Sequence, residues 1–402
     1  MFITPSDKDV QDVINSVSII IQDIISTNSN MYEKYTFDKD IKYLIYQHFD
    51  SILTTEEFDK IYNENYYEMF KLSGYKVRSY ASTFISQHDN NQQIEHLREK
   101  EQPDQRTPEW YNFRHEHITA SNAWKCFGNE KAVNSIVFEK LKPLDIEKYK
   151  PTFSENPLTW GQKFEPISVG LYESIYGVKV IDLGCLEHEE YQYLAASPDG
   201  LVVSERNNGR LLEIKNVVSR EITKIPKMEY WIQMQLQMEV CDLDECDFLE
   251  TKFVEFDSYN EFINYQETDK GIIMVFVKDG YEPIYKYSKL HEKENDYFNS
   301  FMDDMTAEMT NINGDYQWVK NIYWKLITFS CIFVPRNKTW FVDNIHKISE
   351  AWEIIESERN NVNGPDIDKY KPQKRVKTST DVTIDMNKPV PDVSQDNDII
   401  VL

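Results

Sequence analysis

The sequence predicts a mixed α/β or α+β core behind a helical N-terminal segment, and three observations carry that prediction. Between Thr107 and about Asn360, short apolar runs of strand length alternate with amphipathic stripes of helical period. The first 85 residues show the helical period alone. A strongly polar stretch separates the two regions.

In residues 1–85, Val10, Val13, Ile14, Val17, Ile21 and Ile24 form one helical stripe, and Thr54 with Glu57 has the spacing of a capping box. No chemistry is legible there. SQHDNNQQIEHLREKEQPDQR, Ser86 to Arg106, is nearly devoid of apolar periodicity and reads as a polar linker or a solvated helix over 86–106. Within the core, 107–360, the expected strands are Val178 to Leu186, Tyr193 to Ala196, Gly200 to Val203, Leu211 to Lys215 and Ile272 to Val277. An aromatic run from Tyr323 to Val334 ends at Pro335, and Phe341, Ile345, Ile348, Trp352 and Ile355 make a closing helical stripe. Residues 361–402 hold few large apolar side chains and read as a disordered tail. Its basic run KPQKRVK, Lys371 to Lys377, has the form of a nuclear-import signal or a phosphate-contacting arm, as well as of an ordinary solvated stretch.

With 402 residues and 41% hydrophobic content, the chain can bury a substantial core. The five cysteines include no C-x-x-C pair and the amino terminus lacks a cleavable signal pattern, so an intracellular, reducing compartment is expected. The Ile19 to Ile21 run is too short and too closely flanked by polar residues to span a bilayer, so no membrane partner is expected. His115 and His117 form an H-x-H pair, but no Cys or His cluster at ligand spacing joins them into a zinc site.

The sharpest chemical signal is SPDGLVVSERNNGRLLEIK, Ser197 to Lys215. In a strand, Glu213 and Lys215 share one face while Leu212 and Ile214 take the other. The polar turn SERNNGR lets the runs on either side pair as a hairpin, which brings Asp199 beside Glu213. Carboxylates gathered this closely repel unless a cation neutralises them, and hard oxygen donors favour Mg²⁺ or Mn²⁺. Taken alone, EIK also describes a solvated strand face.

Four ordered segments extend the signal: W-x3-R-x3-ITAS at Trp110, Arg114 and Ile118 to Ser121; WGQKFE at Trp160 to Glu165; SPDG with LEIK; and YWIQMQLQMEV with Gln233 and Gln235. Together they resemble the lambda exonuclease or YqaJ-like viral recombinase family of the PD-(D/E)xK nuclease superfamily, over roughly Arg106 to Val240. The chain departs from the family's small residue and Pro after E-x-K, having Asn216 and Val217 there.

The resemblance implies a restriction-endonuclease-like core with a central mixed sheet flanked by helices. It implies one or two Mg²⁺ or Mn²⁺ ions held by Asp199, Glu213, Glu165 and the carbonyl of Ile214, with Lys215 as general base or as an orienting group. Gln233 is the implied active-site amide with Gln235 as second choice, since side chains two apart on a helix diverge. Arg114 and Ser121 are implied to grip a 5′-phosphate; by their residue types alone they equally suit a surface ion pair with Glu116 and a helix cap.

The implied activity is a DNA exonuclease that enters duplex ends and degrades the 5′-phosphorylated strand, leaving 3′ single strands for recombination, replication or repair. An endonuclease or repair nuclease of the same superfamily and a noncatalytic DNA-binding scaffold are the alternatives. Implied partners are DNA ends, a single-strand annealing or recombination protein and further copies in a ring-shaped oligomer; a viral origin would put the work in the host cytoplasm or nucleus. Against a DNA partner stands a net charge of −24. Locally, Lys215, Arg220, Lys224 and Lys227 face only Glu221 before Met228, a net of +3, so Arg220, Lys224 and Lys227 are the expected DNA-contacting track.

Overall fold

The computed structural model describes residues 7–32, 37–74, 90–149, 156–205, 207–278, 282–311 and 316–372. Helices α1 (Asp7–Thr27), α2 (Ser29–Tyr32), α3 (Phe37–Tyr46) and α4 (Thr55–Ser73) form the N-terminal region. The expected stripe is its core, with Ile14, Val17 and Ile21 buried in a cluster drawn only from residues between Val10 and Phe70. Thr54 and Glu57 form the capping box, the Glu57 carboxylate accepting from the Thr54 amide at 3.0 Å and the Glu57 amide donating to the Thr54 hydroxyl at 3.3 Å.

The second region begins with α5 (Asn91–Glu99), α6 (Pro108–Glu116), β1 (Ile118–Thr119), α7 (Ala120–Ala123), α8 (Glu130–Leu141) and α9 (Pro157–Tyr176). There follow β2 (Val180–Ile181), β3 (Leu186–Glu187), β4 (Leu194–Ala196), β5 (Gly200–Val202), β6 (Leu211–Asn216), α10 (Met228–Cys241) and β7 (Glu245–Glu255). The chain continues through α11 (Tyr259–Asn264), β8 (Lys270–Lys278), β9 (Glu282–Tyr287), α12 (Asn295–Asn311), β10 (Tyr316–Pro335) and α13 (Lys338–Arg359). Seven strands make one mixed sheet in the order β2-β5-β6-β7-β10-β8-β9, in which only β6 and β7 run parallel. A small sheet β1-β4-β3 stands beside it. This is the mixed α/β core that the sequence predicts.

Strand β6 fixes the layers. Leu212 and Ile214 on one face join Tyr172 and Tyr176 of α9, while Leu211 on the other joins Trp231, Met234 and Met238 of α10. Glu213 and Lys215 therefore lie on the α10 side. The hairpin forms as expected, with Gly200 opposite Leu212 and Leu201 opposite Leu211. A Cβ on Gly200 would come within 2.4 Å of the Val180 side chain, so only glycine lets β2 close on β5 directly after Asp199.

Two expected boundaries are corrected. The segment 86–106 is not a linker where it is described: α5 puts Ile94 and Leu97 into the main core, and its polar residues make specific tertiary bonds. Asn90 donates to the Asn208 carbonyl at 2.7 Å and Gln93 to the Cys241 carbonyl at 2.7 Å. Residues 361–372, expected as the start of a disordered tail, are instead packed: Ile367–Tyr370 forms a short 3-10 turn whose Tyr370 is buried and donates to Glu358 at 2.8 Å. Most of the basic run Lys371 to Lys377 and the rest of the tail lie outside the described residues. The expected strand Val178 to Leu186 is two short strands in different sheets, β2 and β3. Among the described residues no helix is long and apolar enough to cross a membrane.

Candidate active site

Asp199 stands where β5 begins. Its amide donates to the Leu212 carbonyl at 3.1 Å, and its carboxylate accepts from the Ile214 amide at 2.7 Å. Because a strand residue points its amide and carbonyl to the same edge, Leu212 and Ile214 both present backbone toward Asp199. The Ile214 carbonyl thus lies on the edge where the resemblance wants a ligand.

Glu213, with no exposed surface, divides its two oxygens among three donors. Lys215 donates to Oε1, while the amides of Gln233 and Gln237 donate to Oε2 at 2.9 and 2.7 Å. Gln233 is the expected residue. Gln237 went unread in the sequence, although it lies four residues on and so on the same helical face. Gln235 points elsewhere, donating to the Pro335 carbonyl at 2.9 Å and accepting from the Asn337 amide at 2.6 Å, which excludes it as an active-site amide.

Charge in this corner is poorly compensated. Burial, and then the charge of Glu213, pushes the Asp199 carboxyl well above the ordinary range. Glu165 is likewise raised, by burial first, with Arg106 opposing and Asp182 and Glu213 adding to the rise. For Lys215, burial works against the charged form but the carboxylates of Glu213 and Asp199 prevail, so the amine is held protonated. Carboxyls so disfavoured as anions mark a place for further positive charge, and an all-oxygen set fits a hard divalent cation. Among the described residues no three His, Cys, Asp or Glu side chains form a ready-made cage. The reason is visible in the partners: Glu213 is turned to Lys215, and Glu165 to the Arg106 guanidinium at 2.7 and 2.8 Å.

Proline is favoured at a helix start, so Pro166 predicts a start beside Glu165; Glu165 lies mid-helix instead. The start is Pro157, capped by Asn156, and Pro166 sits inside α9. Asn216, the residue that breaks the family pattern, bonds the strand exit to both neighbours: its amide donates to the Gly161 carbonyl at 2.9 Å, and its oxygen accepts from Ser168 and Thr251 at 2.7 and 2.6 Å.

Arg114 and Ser121 meet, the guanidinium donating to the hydroxyl at 3.0 Å. Thr119 and not Ser121 caps α7, so the Ser121 hydroxyl is not consumed as the cap. Arg114 lies over the Trp110 ring at 4.3 Å, and the Trp110 indole donates to Ser197 at 3.3 Å, two residues before Asp199. The two halves of the site share one cavity of about 930 Å³, lined among others by Arg106, Arg114, Ser121, Glu165, Asp199 and Lys215.

The basic track enters this cavity in part. Arg220 and Tyr230 line it, but Lys224 and Lys227 are not among its lining residues. Arg220 is paired with Glu250, the register partner of Lys215 on β7. Lys215, Arg220 and Lys227 lie 5.2, 5.6 and 5.9 Å from the Tyr230 ring centre. The histidines diverge, His115 bonding the Lys142 carbonyl and His117 the Glu187 carboxylate, so they form no zinc pair.

Residues 109–244 match the YqaJ-like viral recombinase domain. This recombinase-like segment holds every expected site residue. Arg106 and Glu250 lie outside it. The chain is also 26% identical to an uncharacterized protein of Acanthamoeba polyphaga mimivirus, over 87% of this chain and 68% of that one. Among solved structures it is similar to an alkaline exonuclease from Laribacter hongkongensis, at 18% identity, 63% of this chain, 94% of that chain and a TM-score of 0.36. A phage-related exonuclease from Haemophilus somnus matches at 15% identity, 61% of this chain, 96% of that chain and a TM-score of 0.34.

Proposed function

We propose that the chain is a divalent-metal-dependent DNA exonuclease that takes duplex ends and degrades the 5′-phosphorylated strand. One observation carries the reading: Glu165, Asp199 and Lys215, the last bonded to the buried Glu213, open onto the same cavity as the Arg114 and Ser121 pair. The match to the YqaJ-like viral recombinase domain supports DNA as the substrate.

A Mg²⁺ or Mn²⁺ ion would be held by Asp199, Glu213, Glu165 and the Ile214 carbonyl, and would supply a more acidic water and charge stabilisation at the scissile phosphate. The chain's own residues do the rest. Gln233 and Gln237 fix the orientation of Glu213, and Ile214 fixes that of Asp199. Lys215, held protonated, keeps a positive charge facing the phosphate and orients the attacking water. Arg114 offers a planar fork and Ser121 a hydroxyl to a terminal phosphate, so a strand that ends in phosphate is seated with its first linkage toward the carboxylates. The remaining 3′ strand would then be free for a single-strand annealing partner.

The test is digestion of linear duplexes carrying 5′-phosphate or 5′-hydroxyl ends, with wild type and Arg114→Ala. The expected outcome is a preference for the phosphorylated end in wild type that Arg114→Ala loses. Equal cutting of closed circular DNA would favour an endonuclease instead.

A further inference from the structure

Arg106 precedes the cap of α6 with its backbone in the left-handed region, at φ 69°. For a residue with a side chain that conformation is costly and persists only where its surroundings hold it. Its side chain is tied to a carboxylate: one guanidinium nitrogen donates to both oxygens of Glu165, at 2.8 and 2.7 Å. The Arg106 side chain is still 42% exposed, so it has room to leave. It lines the same cavity as Arg114. Tyr111 lines that cavity with them.

We propose that Arg106 is a second phosphate-binding arginine of the cavity, held on Glu165 until a divalent cation takes that carboxylate and then released to the DNA backbone. The inference rests on Glu165 being a cation ligand. It makes Arg106 a competitor of the cation and a partner of DNA, so each ligand strengthens the binding of the other by linkage.

The test uses the full chain and Arg106→Gly, since glycine accepts a positive φ without strain. A thermal midpoint at or above that of wild type verifies folding. Mn²⁺ affinity without DNA is measured by electron paramagnetic resonance of the free ion. Affinity for a 5′-phosphorylated duplex is measured by fluorescence anisotropy, in EDTA and in Ca²⁺. Arg106→Gly is expected to bind Mn²⁺ at least about fivefold tighter. It is expected to bind DNA as wild type does in EDTA, and at least about fivefold more weakly in Ca²⁺. Unchanged Mn²⁺ affinity, or the same loss of DNA affinity in both buffers, overturns the exchange while leaving the hydrolytic reading intact. A wild type that binds no Mn²⁺ overturns both.

Discussion

Glu213 is buried completely and each of its oxygens has a donor, and two of those donors come from one face of α10. Groups that orient a ligand from behind commonly govern activity by about 10–100-fold. Gln237→Leu is therefore expected to lower kcat by about that factor with little change in KM for DNA, and a fall in KM-dependent binding alone would contradict the role. The Asp199 carboxyl is raised by burial and by its neighbour. Between the ordinary carboxylate range and that raised value the folded chain binds more protons than the unfolded one, so metal-free stability falls as pH rises through the window. Glu57, Glu189 and Glu358 are lowered and pull the other way, so the informative quantity is wild type against Asp199→Asn. In EDTA the variant is expected to melt higher at neutral pH, the gap closing as the pH is lowered through the carboxylate range. A gap that widens on acidification would contradict the raised carboxyl.

At the scale of elements, the legible parts were those whose chemistry and periodicity coincide. The β5–β6 hairpin was readable because a polar turn separates two apolar runs, and the α13 stripe because Phe341, Ile348 and Ile355 keep helical spacing. Helix α5 was legible only as a solvated helix and not as core, since only Ile94 and Leu97 are buried among polar residues whose partners come from distant segments. Tyr370 likewise anchors the end of the described chain through one ring and one hydroxyl, which no periodicity can announce. The claim that α5 is core is directly testable. Leu97→Ala is expected to cost about 2–5 kcal/mol in denaturant unfolding, against the near-zero cost of the same change in a solvated linker. In the site, Gln237 could have been read from its spacing to Gln233. The Arg106–Glu165 pair could not, because it joins residues 59 apart through a turn.

For the molecule as a whole, a net charge of −24 and a DNA substrate are compatible only if contact is confined to a shaped place. The cavity provides one, with Arg106, Arg114, Lys140, Lys215 and Arg220 on its walls. The composition of that wall was half legible: the sequence shows the track after Lys215 as a linear run of charge, whereas the fold gives Arg220 a place on the wall and leaves Lys224 and Lys227 off it. The central claim is that Asp199 and its neighbours hydrolyse DNA from a duplex end with a bound cation. The most direct measurement is digestion of a blunt duplex labelled on one strand at a time, with Mg²⁺ and with EDTA, by wild type and Asp199→Asn. The account predicts Mg²⁺-dependent loss of the 5′-phosphorylated strand, an intact 3′ strand, and no cleavage by the variant. Cleavage in EDTA, or full activity in Asp199→Asn, would contradict it.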